Sequence, residues 1–310
     1  MHHRYSKFVA VIIFLFFAST AQGEIYKELL PAGSRTDSIV HHTNYSLGYD
    51  EETEQAEWVM YEMTQKETNT PRVKRDDSFR PDPQIATGSA SLRDYKKSGY
   101  DRGHLAPAAD MAFSKQAMSE SFYMSNMSPQ RPGFNRGIWK RLEERVRNWA
   151  HTEDIIVVTG GVLNGSQYIG KNKVLVPNTY YKIIYTPHRN KVIAFLLPNK
   201  KSSAPLRDFV VSVDRIEAVT GIDFFADMND ASEAMLERMT NTTAWTWKNG
   251  THQKKATKKR TVSSSSHNIV KLSRSHICHD SSSRYYSRTK HYTPYNTLQE
   301  CLDAGGRLPK

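Results

Sequence analysis

Apolar residues recur along this chain at several distinct spacings, and each spacing predicts an element. Residues 57–63 (EWVMYEM) follow the two-residue alternation of a strand, and residues 155–159 (IIVVT) form a continuous apolar run closed by Gly160-Gly161, as in a strand covered on both faces. Residues 180–185 and 192–197 are rich in β-branched and aromatic side chains, with a turn over residues 187–190 between them. Trp139, Leu142, Val146 and Trp149 recur every three or four residues, which predicts an amphipathic helix. Residues 203–220 predict a second helix, with Pro205 in its first turn and Gly221 as its stop. Strands that cluster instead of alternating strictly with helices point to an α+β fold.

The longest apolar run, residues 8–18, predicts something else. It follows a basic start (Arg4, Lys7) and precedes small residues ending at Gly23. Eleven apolar residues fall short of the roughly 20 that span a bilayer as a helix. They match the core of a secretory signal peptide over residues 1–23, which implies a secreted or periplasmic protein with no transmembrane segment after cleavage. An oxidising compartment would let Cys278 and Cys301 form a disulfide; the alternative is a zinc site joining them to two of His276, His279 and His291.

The 310 residues carry a formal net charge of +11, and its distribution matters more than its size. Residues 248–310 hold 13 Lys+Arg against 3 Asp+Glu, while residues 24–247 hold 28 against 29. A near-neutral body with a cationic appendage is therefore expected, rather than a body that coats nucleic acid. Residues 248–275 are mostly Lys, Ser and Thr, the composition of a flexible linker. Residues 276–310 regain tyrosines and both cysteines, predicting a small second module beyond the 24–247 domain. The basic tail is a candidate for electrostatic contact with polynucleotide.

The candidate chemistry starts at Asp101-Arg102-Gly103-His104. It continues through Ser125-Asn126-Met127-Ser128-Pro129-Gln130, Asn135-Arg136-Gly137-Ile138-Trp139 and Leu142-Glu143, with Arg75 upstream beside Asp76 and Asp77. His104 alone in this set has an ordinary pKa near neutrality, which suits a general base. Adjacent His41-His42 has metal-ligand residue types, but without a visible partner the pair is expected at the surface.

These motifs resemble the DNA/RNA non-specific endonucleases of the ββα-metal type, the endonuclease G group, over roughly residues 33–247. The resemblance implies a ββα-metal fold with a central, mainly antiparallel sheet flanked by helices. It implies that His104 activates water, that Asn135 binds one Mg²⁺ directly (Mn²⁺ or Ca²⁺ as substitutes), and that Glu143 holds it through water. Arg75 and Arg102 match arginines near the scissile phosphate, and Asn126 matches an asparagine that positions the base or the substrate. The implied substrates are double- and single-stranded DNA and RNA without sequence preference, cut to 5′-phosphate ends. A non-catalytic nucleic-acid-binding surface protein and a metal-dependent phosphoesterase or exonuclease are the alternatives.

One geometric requirement follows. Eight residues of unbroken helix would set Asn135 and Glu143 about 12 Å apart and turn them by about 80°. Asn135 must therefore lie at or before the helix start, with Pro132-Gly133 just upstream providing the break. Trp139, Leu142 and Val146 are expected to anchor this helix in the core.

Overall fold

The computed structural model describes residues 28–32, 38–247, 269–280, 283 and 285–308. The expected leader, residues 1–23, and most of the expected linker lie outside the described residues. The chain divides into two compact units, Met1–Gly250 and Thr251–Lys310.

The first unit runs through β1 (Ile39–His41), β2 (Ser46–Asp50) and β3 (Gln55–Met63), then leaves the main sheet for the paired strands β4 (Asp101–His104) and β5 (Met127–Gln130). It returns through β6 (Ile155–Gly161), a small pair β7 (Tyr168–Ile169) and β8 (Val174–Leu175), β9 (Thr179–Thr186), β10 (Lys191–Pro198) and β11 (Val210–Val211). Seven strands form one sheet in the order β1-β2-β3-β6-β9-β10-β11, with every neighbouring pair antiparallel.

Alternate residues of these strands feed two separate cores. Val59, Tyr61, Val157, Ile184 and Phe195 pack with Trp139, Leu142, Val146 and Trp149 on one side. Trp58, Met60, Val158, Ile183 and Ala194 pack with Val213, Ile216 and Leu236 on the other. Both faces of the central strands are thus dry, which is why residues 57–63 carry apolar side chains at both phases of the alternation. Trp139, Leu142 and Val146 are fully buried and hold the Lys140–Ala150 helix to the sheet, as their spacing predicts. Truncating a buried tryptophan such as Trp149 would cost about 3–5 kcal/mol.

Three expectations need correction. The helix predicted over residues 203–220 covers only Val213–Thr220, where Ser212 caps it by accepting from the Arg215 N–H at 3.2 Å. Pro205 is extended and opens a single 3-10 turn, Leu206–Phe209, and the β-branched pair Val210-Val211 then joins the free edge of β10. Gly221 does end the helix, at φ +74°. Second, His42 is not exposed: its imidazole is buried and bonds Asp82 at 2.9 Å, although His41 is at the surface.

The third concerns the second unit, whose fold begins inside the stretch read as linker. There β12 (Val270–Ser273) pairs with β13 (Cys278–His279) and β14 (Tyr292–Tyr295), and the Leu298–Asp303 helix closes the unit. The apolar Ile269, Val270 and Leu272 were diluted by the Ser- and Lys-rich residues before them. Cys278 and Cys301 form a disulfide, so no thiolate is left for the zinc alternative.

Candidate active site

Four residues of β4 carry the Asp-Arg-Gly-His motif, each opposite a partner on β5, from Asp101↔Gln130 to His104↔Met127. The two-residue period sets Arg102 and His104 on one face and Asp101 and Gly103 on the other. Glycine is required at 103, since a Cβ there would lie 2.1 Å from Cδ of Gln130. Asn126 secures the chain just beyond His104. Its Oδ1 accepts from the Ala106 N–H at 2.8 Å, and its Nδ2 donates to the carbonyls of Ala106 and Ser121 at 2.9 and 2.8 Å. Asn126 is fully buried, and its carboxamide makes these three hydrogen bonds to backbone groups.

His104 lies between two aromatic rings, with Phe122 edge-on at 5.0 Å and Phe79 at 5.8 Å. The same rings carry the arginines: the Arg102 guanidinium sits 4.1 Å over Phe79 and that of Arg75 4.8 Å over Phe122. Arg75 also donates to Asp77 at 2.7 Å and stays half-exposed. Arg102 forms no ion pair among the described residues. Burial drives the His104 pKa down to about 3; Arg75 adds to this, Asp77 opposes it and Arg102 lowers it further. The imidazole is therefore neutral, and its Nε2 has no hydrogen-bond partner among the described residues. A neutral, uncommitted imidazole beside two fixed cations can accept a proton from water near an anionic substrate.

The arm that brings Arg75 to this place is bolted down by buried polar contacts. Asp82 accepts from His42 at 2.9 Å, from the Ser125 hydroxyl at 2.5 Å and from the Gln84 N–H at 2.9 Å. Burial raises its pKa, but these bonds outweigh it and hold the carboxyl below its ordinary range. Arg80 donates to the Ser119 carbonyl and to the Ser119 hydroxyl and lies 4.1 Å over Tyr123. Ser125 precedes Asn126, so the Arg75 arm and the His104 clamp share one anchor.

Asn135 stands in a single π-type turn, Phe134–Trp139, before the Lys140–Ala150 helix. Gly137 breaks the helical path at φ −111°, ψ −108°, which meets the requirement that Asn135 precede the helix proper. Its Nδ2 donates to Asp101 at 2.9 Å, and Arg136 grips the same carboxylate through two bonds of 2.8 and 2.6 Å. Asn135 is thereby tied to the strand that carries His104, with its amide oxygen turned away from that bond. Glu143, one turn into the helix, belongs to a different polar group. Burial raises its pKa, while Lys182 and Arg147 counter the rise and Asp110 and Glu144 add to it. Arg147 pairs with Asp110 at 2.5 Å, and Tyr61 donates to the same carboxylate at 2.9 Å.

Four contributors escaped the sequence reading. Lys182 is fully buried 4.9 Å from the Trp139 ring, with no hydrogen-bond partner among the described residues for its ammonium. A lone lysine in phase with Tyr180 and Ile184 was the available signal, since that phase points into the core. Phe79 and Phe122, which seat the arginines and the base, and Arg136, which fixes Asp101, carried no such signal.

A ββα-metal fold implies a divalent cation, and the donors present suit one. The Asn135 amide offers a neutral oxygen, and its amide nitrogen is held by Asp101. One protein oxygen completed by water and phosphate oxygens satisfies a hard octahedral ion.

Comparison with known proteins defines the class. The DNA/RNA non-specific endonuclease profile matches residues 22–231. This chain belongs to that family. The mitochondrial nuclease EXOG of Homo sapiens is 33% identical over 214 residues, which are 62% of this chain and 58% of that protein. Mitochondrial endonuclease G of the same species is 32% identical over 220 residues, 65% of this chain and 73% of the relative. The crystal structure of an EndoG/EndoGI complex superposes with a TM-score of 0.61 at 30% identity, covering 67% of this chain and 92% of its own. The fold is thus the expected ββα-metal α+β architecture.

These relatives overturn the expected secreted or periplasmic location. Both are named as mitochondrial nucleases, neither as secreted or periplasmic. The leader was ambiguous on physical grounds, because residues 1–23 contain no Asp or Glu, and an acidic-poor basic start is common to export and organelle leaders.

Proposed function

We propose that the first unit is an endonuclease that hydrolyses phosphodiester bonds of DNA and RNA with little sequence preference. The observation that carries this reading is the His104 imidazole held between Phe79 and Phe122, the two rings that also seat the Arg102 and Arg75 guanidinium groups. His104 takes a proton from water, the water oxygen forms a bond to phosphorus, and the P–O3′ bond breaks with its electron pair on O3′, which takes a proton from solvent to give a 3′-hydroxyl beside the 5′-phosphate. Arg75 and Arg102 hold the non-bridging oxygens through planar forks that stay charged. They also link binding to basicity. Once a phosphate neutralises them, their depressing effect on His104 weakens, and its proton affinity rises when a proton must be taken.

Asn135, oriented by Asp101, would bind Mg²⁺ directly, and Glu143 would hold one of its waters. When bound, the cation supplies positive charge to the phosphate and the departing 3′ oxygen. The test is digestion of a covalently closed plasmid and of RNA, in Mg²⁺ and in EDTA. Wild type should nick the circle and cut RNA only with metal, and His104→Ala should be slower by at least about 10²-fold. A chain that spares the closed circle but degrades linear ends is an exonuclease, and one that binds without cutting is a binding protein.

A further inference from the structure

The family match ends at residue 231, so the Thr251–Lys310 unit falls outside it. Within that unit Lys271 of β12 turns inward, donates to the Tyr286 carbonyl at 2.9 Å, and lies 4.1 and 4.7 Å over the rings of Tyr286 and Tyr292. Tyr286 in turn donates to the Ile269 carbonyl at 2.8 Å. One lysine thus pins the loop leading into β14. Beside this loop is a shallow open basin of about 640 Å³, lined by Arg274, Arg288, Lys290 and His291 together with Tyr285 and Ile277.

Among the described residues no carboxylate lines the basin. The acidic side chains of the unit are occupied elsewhere: Glu300 accepts from the Asn296 and Thr297 N–H groups, Asp303 from Gln299, and Asp280 from the Ser283 N–H. Arg274, Arg288 and Lys290 are exposed and make no ion pair among the described residues. Tyr285 leaves 38% of its surface open beside them. The short Leu298–Asp303 helix turns Leu298 and Leu302 onto the disulfide core, so it has no apolar face to lay on a lipid surface.

We propose that this basin binds single-stranded polynucleotide, its cations taking backbone phosphates and Tyr285 stacking on a base. Positive charge without an ion pair among the described residues, next to a partly exposed tyrosine ring that meets His279 edge-on at 6.3 Å, is the chemistry of sequence-tolerant single-strand binding. A duplex hides the base faces that Tyr285 would use. The choice of ligand rests on the nuclease reading of the first unit, and the site would keep a polymer on the enzyme between cuts.

The test uses the full chain carrying His104→Ala, in EDTA so that nothing is cut, with a fluorescent oligothymidylate of about 12 nucleotides. Anisotropy is followed as NaCl is raised. Arg288→Glu with Lys290→Glu should weaken binding at least tenfold and flatten the log–log salt slope by about 1.4, two phosphates at about 0.7 each. Arg288→Gln with Lys290→Gln should move both quantities the same way by less. Tyr285→Ala should weaken binding about fivefold and leave the slope alone.

Affinity and slope unchanged by the charge reversal would overturn the proposal. So would inorganic polyphosphate competing as well as the oligonucleotide, or capture of anionic phosphatidylglycerol vesicles in place of it. Plasmid nicking is measured apart from this. A chain that fails to nick yet shows these shifts loses the nuclease reading alone, and one that nicks without them loses only the basin.

Discussion

Replacing Asn126 with alanine separates two roles that the motif alone confounds, because the structure makes this residue a clamp and not a substrate contact. The substitution strands one N–H donor, that of Ala106, and two carbonyl acceptors, those of Ala106 and Ser121, in a fully buried place. Each orphaned buried group costs about 1–3 kcal/mol. The carbonyls lose less than the donor, and water entering the vacated space would recover part of the loss, so a total of about 4 kcal/mol is expected.

For a unit of this size that loss lowers Tm by roughly 8–16 °C. Thermal unfolding of the metal-free protein at neutral pH reads it directly. Asn126→Asp should fare worse still, since a carboxylate retains the acceptor for Ala106 but loses both donations and buries a charge. If Asn126→Ala instead melts within about 2 °C of wild type while nicking falls 10²-fold, the carboxamide acts on the reaction and the clamp reasoning is wrong.

Two further outcomes follow from the same strand. The folded pKa of His104 is about 3 against an ordinary 6.5, so the unfolded chain takes up a proton between those values that the folded chain refuses. Stability should therefore fall as pH drops from 6.5, with a limiting contribution of about 1.4 kcal/mol per pH unit that His104→Gln lacks; parallel denaturant-derived stability curves for the two proteins between pH 4 and pH 6 would contradict it. Gly103→Ala places a Cβ 2.1 Å from Cδ of the fully buried Gln130 side chain. It should cost about 1–3 kcal/mol in chemical denaturation and slow nicking by displacing His104, and an unchanged midpoint would refute the close approach.

Much of the fold was legible because hydrophobic periodicity reports burial. The spacing of Trp139, Leu142, Val146 and Trp149 located the main helix, and the apolar runs at residues 155–159, 180–185 and 192–197 located the central strands. Periodicity failed where tertiary context decides. Val210-Val211 became an edge strand only because β10 offers an unpaired edge, and Ile269-Val270-Lys271-Leu272 folds only with the disulfide-linked strand and helix that follow.

The site was legible to a different degree. Its reactive residues share a few short motifs, but the groups that hold them do not. Arg136 gripping Asp101, His42 reaching Asp82 across forty residues, and Lys182 beneath the sheet depend on side-chain directions that spacing does not encode. Asn126 shows the converse, since the motif picked out the residue and only the hydrogen bonds showed which way it faces.

In the proposed reaction His104 and Asn135 have separable duties, proton transfer and cation binding. Single-turnover nicking of a supercoiled plasmid, measured as Mg²⁺ is raised, tests it most directly. His104→Ala should reach a saturating rate at least about 10²-fold below wild type at an unchanged half-saturating Mg²⁺ concentration. Asn135→Ala should shift that concentration upward by at least about tenfold. A His104→Ala rate within tenfold of wild type, or both variants moving the same parameter, would contradict the account.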